Sequence, residues 1–152
     1  MSLLSDQPIF TIRSPLGDIQ KLGHTPYGER RIINILGGTV EGPKLNGKIL
    51  PGGADWQIVR ADGTADLDAR YTLETSDGAL IYVHNRGYRH GPREVIARLV
   101  KGEDVDPALY YMRTTPWFET SAPAYDWLNR IVCVGTGARR PAGVELELFE
   151  VK

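Results

Sequence analysis

Hydrophobic and polar positions alternate along this chain over short stretches, each interrupted by glycine or proline. A period of two puts successive side chains on opposite faces of an extended backbone, the pattern of strands with one buried face. The clearest case runs from Asp66 to Thr75: Leu67, Ala69, Tyr71 and Leu73 face one way, Asp68, Arg70, Thr72 and Glu74 the other. Arg30 to Gly38, Ala54 to Arg60, Leu80 to Tyr88, Leu109 to Thr115, Asn129 to Thr136 and Val144 to Val151 read as further strands. Weaker signals lie at Ile9 to Ser14 and Asp18 to His24. Between such runs, Asn46-Gly47, Asp62-Gly63 and Asp77-Gly78 predict tight antiparallel hairpins; Asn46-Gly47 suits a type I′ turn, whose two central residues both need positive φ.

One segment breaks the alternation. From Pro92 to Gly102, Val95, Ile96, Leu99 and Val100 recur at helical spacing, with proline at the start and glycine at the end. This predicts a short amphipathic helix across a barrel end, its stripe buried and Arg93, Glu94, Arg98 and Lys101 in solvent. A brief helical turn is expected around Tyr125 to Leu128. The fold class expected is all-β: an antiparallel β-barrel of about nine short strands with one short amphipathic helix. A barrel is favoured over a sandwich because polar residues alternate with apolar ones in many strands, and a small closed barrel can hold one ligand inside. With no linker, repeat or shift in composition, residues 1–152 are read as a single domain.

Charge narrows the functional classes. Lysine and arginine number 18 against 19 acidic residues, a formal net charge of −1. That balance lacks the basic excess of a nucleic-acid-binding protein. Two local clusters, Arg139-Arg140 and Arg86 with Arg89 and Arg93, can each still hold one anionic group. The single Cys133 cannot form an intrachain disulfide. No apolar run approaches a transmembrane length, and the first residues lack a signal-peptide pattern, so no membrane partner and a cytoplasmic location are expected. Homo-oligomerisation is left open.

Familiar chemical signatures are missing. Gly37 to Lys44 is glycine-rich, but Lys44 is not followed by Ser or Thr, so it is no P-loop. Gly135-Thr-Gly137 lacks the third glycine of a dinucleotide fingerprint, and no G-x-S-x-G elbow occurs. His24, His84 and His90 show no metal-ligand spacing. No metal and no cofactor are therefore expected. Candidate chemistry lies in two constellations. In Gly52-Gly53-Ala54-Asp55-Trp56, Asp55 beside an aromatic wall can be a general base with a raised pKa, or simply a turn cap next to a core tryptophan. In the stretch from Tyr110 to Glu119, Arg113 can hold an oxyanion and Glu119 can move a proton, or the two can form a structural pair at the barrel rim. Arg70 can be a pocket cation or part of an ion network with Asp68. Trp127 and Asn129 can supply a wall and an amide donor, or be a core tryptophan and a turn asparagine.

These residues carry a resemblance. The ordered set Gly37-Gly-Thr-Val-Glu-Gly-Pro43, Gly47, Leu50 to Trp56, Asp68 to Tyr71, Asp77-Gly78, Tyr110 to Arg113, Phe118-Glu119 and Trp127-Leu-Asn129 resembles domain-of-unknown-function family 3237. It spans about Ile9 to Val151 and implies a β-barrel with no generally assigned activity. Asp55, Trp56, Arg70, Tyr71, Arg113, Glu119, Trp127 and Asn129 stand at motif positions; Met112 departs, standing where an aromatic residue is expected.

The function expected is that of a small-molecule pocket protein: a cofactor-independent isomerase, cyclase or lyase using a carboxylate acid/base on an apolar or aromatic substrate. Asp55, Glu119 and Arg113 are the expected catalytic residues. Trp56, Arg70, Tyr71, Trp127 and Asn129 are the expected substrate-binding residues, with Asp55, Arg113 and Glu119 pointing into one cavity walled by Trp56, Tyr71 and Trp127. The alternatives are a non-catalytic ligand binder or carrier and a structural barrel plugged by its own side chains.

Overall fold

The computed structural model describes residues 2–152. Its strands are β1 (Phe10–Thr25), β2 (Gly28–Ile35), β3 (Gly38–Glu41), β4 (Gly47–Ile49), β5 (Gly53–Val59), β6 (Ala65–Thr75), β7 (Leu80–His90), β8 (Tyr111–Glu119), β9 (Val132–Arg140) and β10 (Gly143–Val151). Helix α1 (Arg93–Val100) follows β7, and 3₁₀ segments occupy Pro107–Leu109 and Pro123–Arg130.

Every pairing is antiparallel, and the sheet closes on itself. The ring runs β1–β10–β9–β8–β7–β6. Its last gap is bridged by two short routes, because the long strands β1 and β6 each serve two neighbours. The first part of β6 pairs with β5, and β5 with β2, which lies on the second half of β1. The end of β6 pairs with β4, and β4 with β3, which lies on the first half of β1. Closure leaves no unpaired long edge, the usual hazard of an open sheet.

The weak signals before and after Pro15 belong to one strand. Bulges between Leu16 and Ile19 and between Lys21 and Gly23 absorb the irregular sequence without ending β1. Gly17 permits this crossing, since a β-carbon there would stand 2.1 Å from the Asn34 carbonyl oxygen.

The turns also differ in kind from expectation. Among the described residues no non-glycine residue has positive φ, so none of the predicted hairpins is type I′. In the β5–β6 and β6–β7 turns only the glycine is left-handed, Gly63 at φ 87° and Gly78 at φ 88°, each following an ordinary turn. Asn46-Gly47 makes no tight turn: Gly47 already pairs with Val40, and the loop from Gly42 to Asn46 is held by the Gly42 N–H donating to Asn46 Oδ1 at 3.4 Å.

Helix α1 ends as its glycine suggests. The N–H of Gly102 donates to Leu99 O and that of Glu103 to Arg98 O, a Schellman motif with Gly102 at φ 83°. Its buried face is narrower than the apolar stripe: Val95 and Leu99 are buried, Ile96 is half-buried and Val100 is exposed. At 3.6 residues per turn Val100 stands about 100° round the helix from Leu99, off the face that Val95 and Leu99 bury. Among the described residues no helix is long and apolar enough to cross a membrane.

Candidate functional site

The inward side chains change character along the barrel axis. Those of β7 run Ile81, Val83, Asn85, Arg89; those of β8, Phe118, Pro116, Thr114, Met112; those of β9, Cys133, Gly135, Gly137, Arg139. At the end where β7 begins, the interior is solid. Phe10, Ile81, Val83 and Leu148 are fully buried, and Phe10 meets Phe118 edge-on with ring centroids 5.6 Å apart. The 3₁₀ segment Pro123–Arg130 buries Tyr125 and Leu128, and the Tyr125 hydroxyl ties it to the β6–β7 turn by donating to Asp77 Oδ1 at 2.8 Å.

Further along the axis the filling stops. A cavity of about 110 Å³ lies among Ile12, Ile33, Leu67, Tyr71, Leu146 and the polar groups of β5, β7, β8 and β9. This is smaller than the apolar cavity of roughly 150 Å³ that accepts benzene, so a ring held here extends into the open side. Its half-exposed lining residues Ser14, Leu16, Asn34, Arg139 and Val144 mark where it meets solvent. Glycine on the inner face of β9 keeps the wall thin: a β-carbon on Gly135 would stand 2.5 Å from Thr114 Oγ1.

Asp55 is the acid in this lining. Its Oδ1 accepts the Asp68 N–H at 2.8 Å and its Oδ2 accepts Gln57 Nε2 at 3.1 Å. The Asp68 amide is free for this because the β5–β6 ladder skips the residues between the Asp55–Ala69 and Ile58–Asp66 pairs. Gln57, itself buried, accepts a hydrogen bond from Arg31 through Oε1. Burial raises the Asp55 pKa, and it outweighs the two hydrogen bonds and the attraction of Arg89, which act to lower it. Arg89 is the converse. Burial, with Arg139 and Arg31 nearby, depresses its pKa to about 10 despite the opposing pull of Asp55. Burial likewise pushes the Tyr71 hydroxyl up.

Several polar atoms in the wall around this space have no partner. Tyr71 OH, Asn85 Oδ1, Thr114 Oγ1 and Arg89 Nε are buried without a hydrogen bond, and all four residues line the cavity. Buried polar groups are ordinarily satisfied, so four unpartnered ones in the wall of one cavity set it apart from the rest of the interior.

The structure brings only two of the sequence-predicted residues, Asp55 and Tyr71, to this cavity. The joint pocket of Asp55, Arg113 and Glu119 is not formed, because β8 turns its odd-numbered residues outward. Glu119 and Arg113 are both exposed and lie roughly 20 Å apart at the usual strand rise, too far to pair at the rim. The Arg113 guanidinium instead sits over the Tyr111 ring and donates to Met112 O at 2.9 Å. Trp56, next to inward Asp55, must point out and is 38% exposed. Arg70 is outward too, 4.0 Å from Asp68, which also meets His84 Nε2 at 2.7 Å; the Asp68–Arg70 network is an outer-face feature. Trp127 packs half-buried against the core, and Asn129 braces the end of β8 by bonding both N–H and C=O of Thr120. Neither lines the cavity.

Gln57, Asn85, Arg89, Thr114 and Arg139 were missed as site residues. For three of them the signal was present: Asn85 and Arg89 share the apolar face of Ile81 and Val83, and Thr114 that of Met112, Pro116 and Phe118. The two basic clusters read from the sequence each contribute one member, Arg89 and Arg139. Arg86, Arg93 and Arg140 lie elsewhere, Arg86 on Asp66 and Arg140 on Asp104.

These features define a class: closed antiparallel barrels with a solid apolar end and, further along, a mostly apolar cavity with a few polar side chains in its wall. Within it, the chain belongs to the family described as protein of unknown function (DUF3237), whose profile matches residues 5–151. A UPF0311 protein of Rhodopseudomonas palustris is 45% identical over 148 residues, 97% of each chain. The crystal structure of a β-barrel-like protein from Acinetobacter baumannii matches with a TM-score of 0.85 at 45% identity, covering 100% of this chain and 98% of that one. A more distant relative is named a hydroalkoxylation enzyme, from Penicillium herquei; it is 31% identical over 107 residues, 70% of this chain and 56% of its own length.

Proposed function

We propose that this protein is a cofactor-independent enzyme that transfers a proton on a small, largely apolar substrate held in the barrel cavity. Asp55 carries the reading: an acid in a mostly aliphatic lining, its pKa raised by burial and its orientation set by Gln57 and the Asp68 amide. A carboxylate so placed can both take and return a proton. Arg89, with an unpartnered buried nitrogen, stabilises negative charge that develops on a substrate oxygen. Tyr71, Asn85 and Thr114 offer their unpartnered atoms to orient it.

The named activity of the Penicillium relative supports a cyclase or lyase within this class. In a hydroalkoxylation of a conjugated alkene, a substrate hydroxyl gives its proton to Asp55 as its oxygen bonds to one alkene carbon. The π electrons move onto the conjugated oxygen, facing Arg89, and collapse as Asp55 returns a proton to the neighbouring carbon. No electrons are gained or lost, and the reverse direction is the lyase.

The test is turnover of a panel of alkenols with conjugated alkenes in D₂O, followed by mass spectrometry. One deuterium should appear on carbon, and Asp55→Asn, which keeps shape but cannot shuttle the proton, should lower turnover by about 100-fold or more. Full turnover by Asp55→Asn would end the acid–base role of Asp55, and binding without turnover by the wild type would put the carrier reading in place of the enzyme.

A further inference from the structure

The arginines of this barrel divide in an unexpected way. Several on the outer surface sit beside carboxylates: Arg13 by Glu41, Arg60 and Arg86 by Asp66, Arg98 by Glu103, Arg130 by Asp126, Arg140 by Asp104. Such pairs are exposed and contribute little. Arg31, Arg89 and Arg139 are the reverse. They turn inward; burial first, and then the neighbouring guanidinium groups, disfavours the charge of Arg89 and Arg139, and among the described residues none of the three forms a salt bridge. Arg31 and Arg89 each bury an Nε with no partner. Buried cations are ordinarily paired, because taking a charge from water is costly without a counter-charge. Here three guanidinium groups stand against one carboxylate, Asp55, which burial itself pushes towards its neutral form.

We infer that the cavity takes a small carboxylate, whose oxygens are clasped by Arg89 and Arg139 while its apolar body fills the aliphatic space among Ile12, Leu67 and Leu146. Both arginines line the cavity, from β7 and β9, and Arg139 lies on the half-exposed side where a ligand would enter. A guanidinium presents a planar fork of donors that matches a carboxylate, and in a dry site such bonds are strong. A cavity of about 110 Å³ limits the apolar body to about one ring. Arg31 stays behind the site: its Nη2 is engaged by Gln57, so it adds charge and holds the Gln57–Asp55 chain in place.

The inference rests on the reading of this cavity as a substrate site and adds the substrate class. It joins the proposed chemistry at one point. If the alkene is conjugated to the carboxylate, charge developing during proton transfer spreads onto oxygens that Arg89 already holds.

The test compares benzoate with its neutral isostere benzamide by isothermal titration calorimetry on the full chain. Benzoate should bind at least tenfold more tightly than benzamide. Arg89→Met and Arg139→Gln should each remove that preference. Arg139 is half-exposed, so its variant reports even if Arg89→Met does not fold. Equal binding of benzoate and benzamide, or an unchanged preference in either arginine variant, overturns the carboxylate clasp and leaves the cavity a ligand site. No binding of either probe at millimolar concentration overturns the cavity reading as well.

Discussion

Arg89 offers a direct measure of how much stability this barrel gives up for its cavity. Replacing it with methionine keeps an unbranched chain of similar length and removes the charge. In the folded protein the Arg89 pKa lies at about 10, against the usual guanidinium value above 12. At about 1.4 kcal/mol for each tenfold change in proton affinity, that depression corresponds to about 3 kcal/mol of disfavoured charge. The sign follows from linkage. Between the folded and unfolded values the unfolded chain binds more protons, so the wild type gains stability as pH rises through that window. Below about pH 10 the folded protein carries the whole penalty, and there Arg89→Met gains most. Asp55 loses its nearby cation in the variant, which returns part of the gain. The expected net effect at pH 7 is a stabilisation of about 1–3 kcal/mol, in line with replacing poorly compensated buried charges by apolar groups. Urea denaturation followed by tryptophan fluorescence measures it as a higher midpoint at unchanged slope. A loss of about 3–5 kcal/mol would refute the reasoning, because that is the cost of breaking a satisfied buried pair.

Two further outcomes test the frame around the site. Leu99→Ala should cost about 2–5 kcal/mol, since Leu99 is buried under α1, while Val100→Ala should change stability by less than about 0.5 kcal/mol; equal losses would mean that α1 is seated differently. Tyr125→Phe should lower the urea midpoint by removing the hydrogen bond to Asp77 at the solid end. That bond and the one from Thr75 hold the Asp77 carboxyl below its usual range, so their stabilisation is present above about pH 4 and fades as the folded protein takes up a proton. The gap between wild type and Tyr125→Phe should therefore narrow on acidification, and a gap that is constant with pH would assign the loss to packing alone.

The sequence by itself determined most of the fold, because strand alternation and helix capping are local. Leu67, Ala69, Tyr71 and Leu73 face inward as their spacing requires, and Gly102 ends α1 as a glycine after an apolar stripe should. It determined less about the turns, where aspartate or asparagine beside glycine announces a reversal without saying which residue takes positive φ. It also carried the polarity of single positions, and here one step was available and missed. Trp56 and Asp55 are neighbours in a strand, so they cannot face the same cavity, and Arg113 and Glu119 share a face with exposed Trp117 and Tyr111. What only the tertiary structure decided is which inward polar residues meet. Asp55 on β5, Asn85 and Arg89 on β7, Thr114 on β8 and Arg139 on β9 lie far apart in the chain, and no local pattern links them. Closing the sheet sets their heights along the barrel axis through strand register, and a shift of one residue in any strand would turn its polar group outward. The charge excess that marks the cavity is therefore a property of the closed barrel, not of any segment of its sequence.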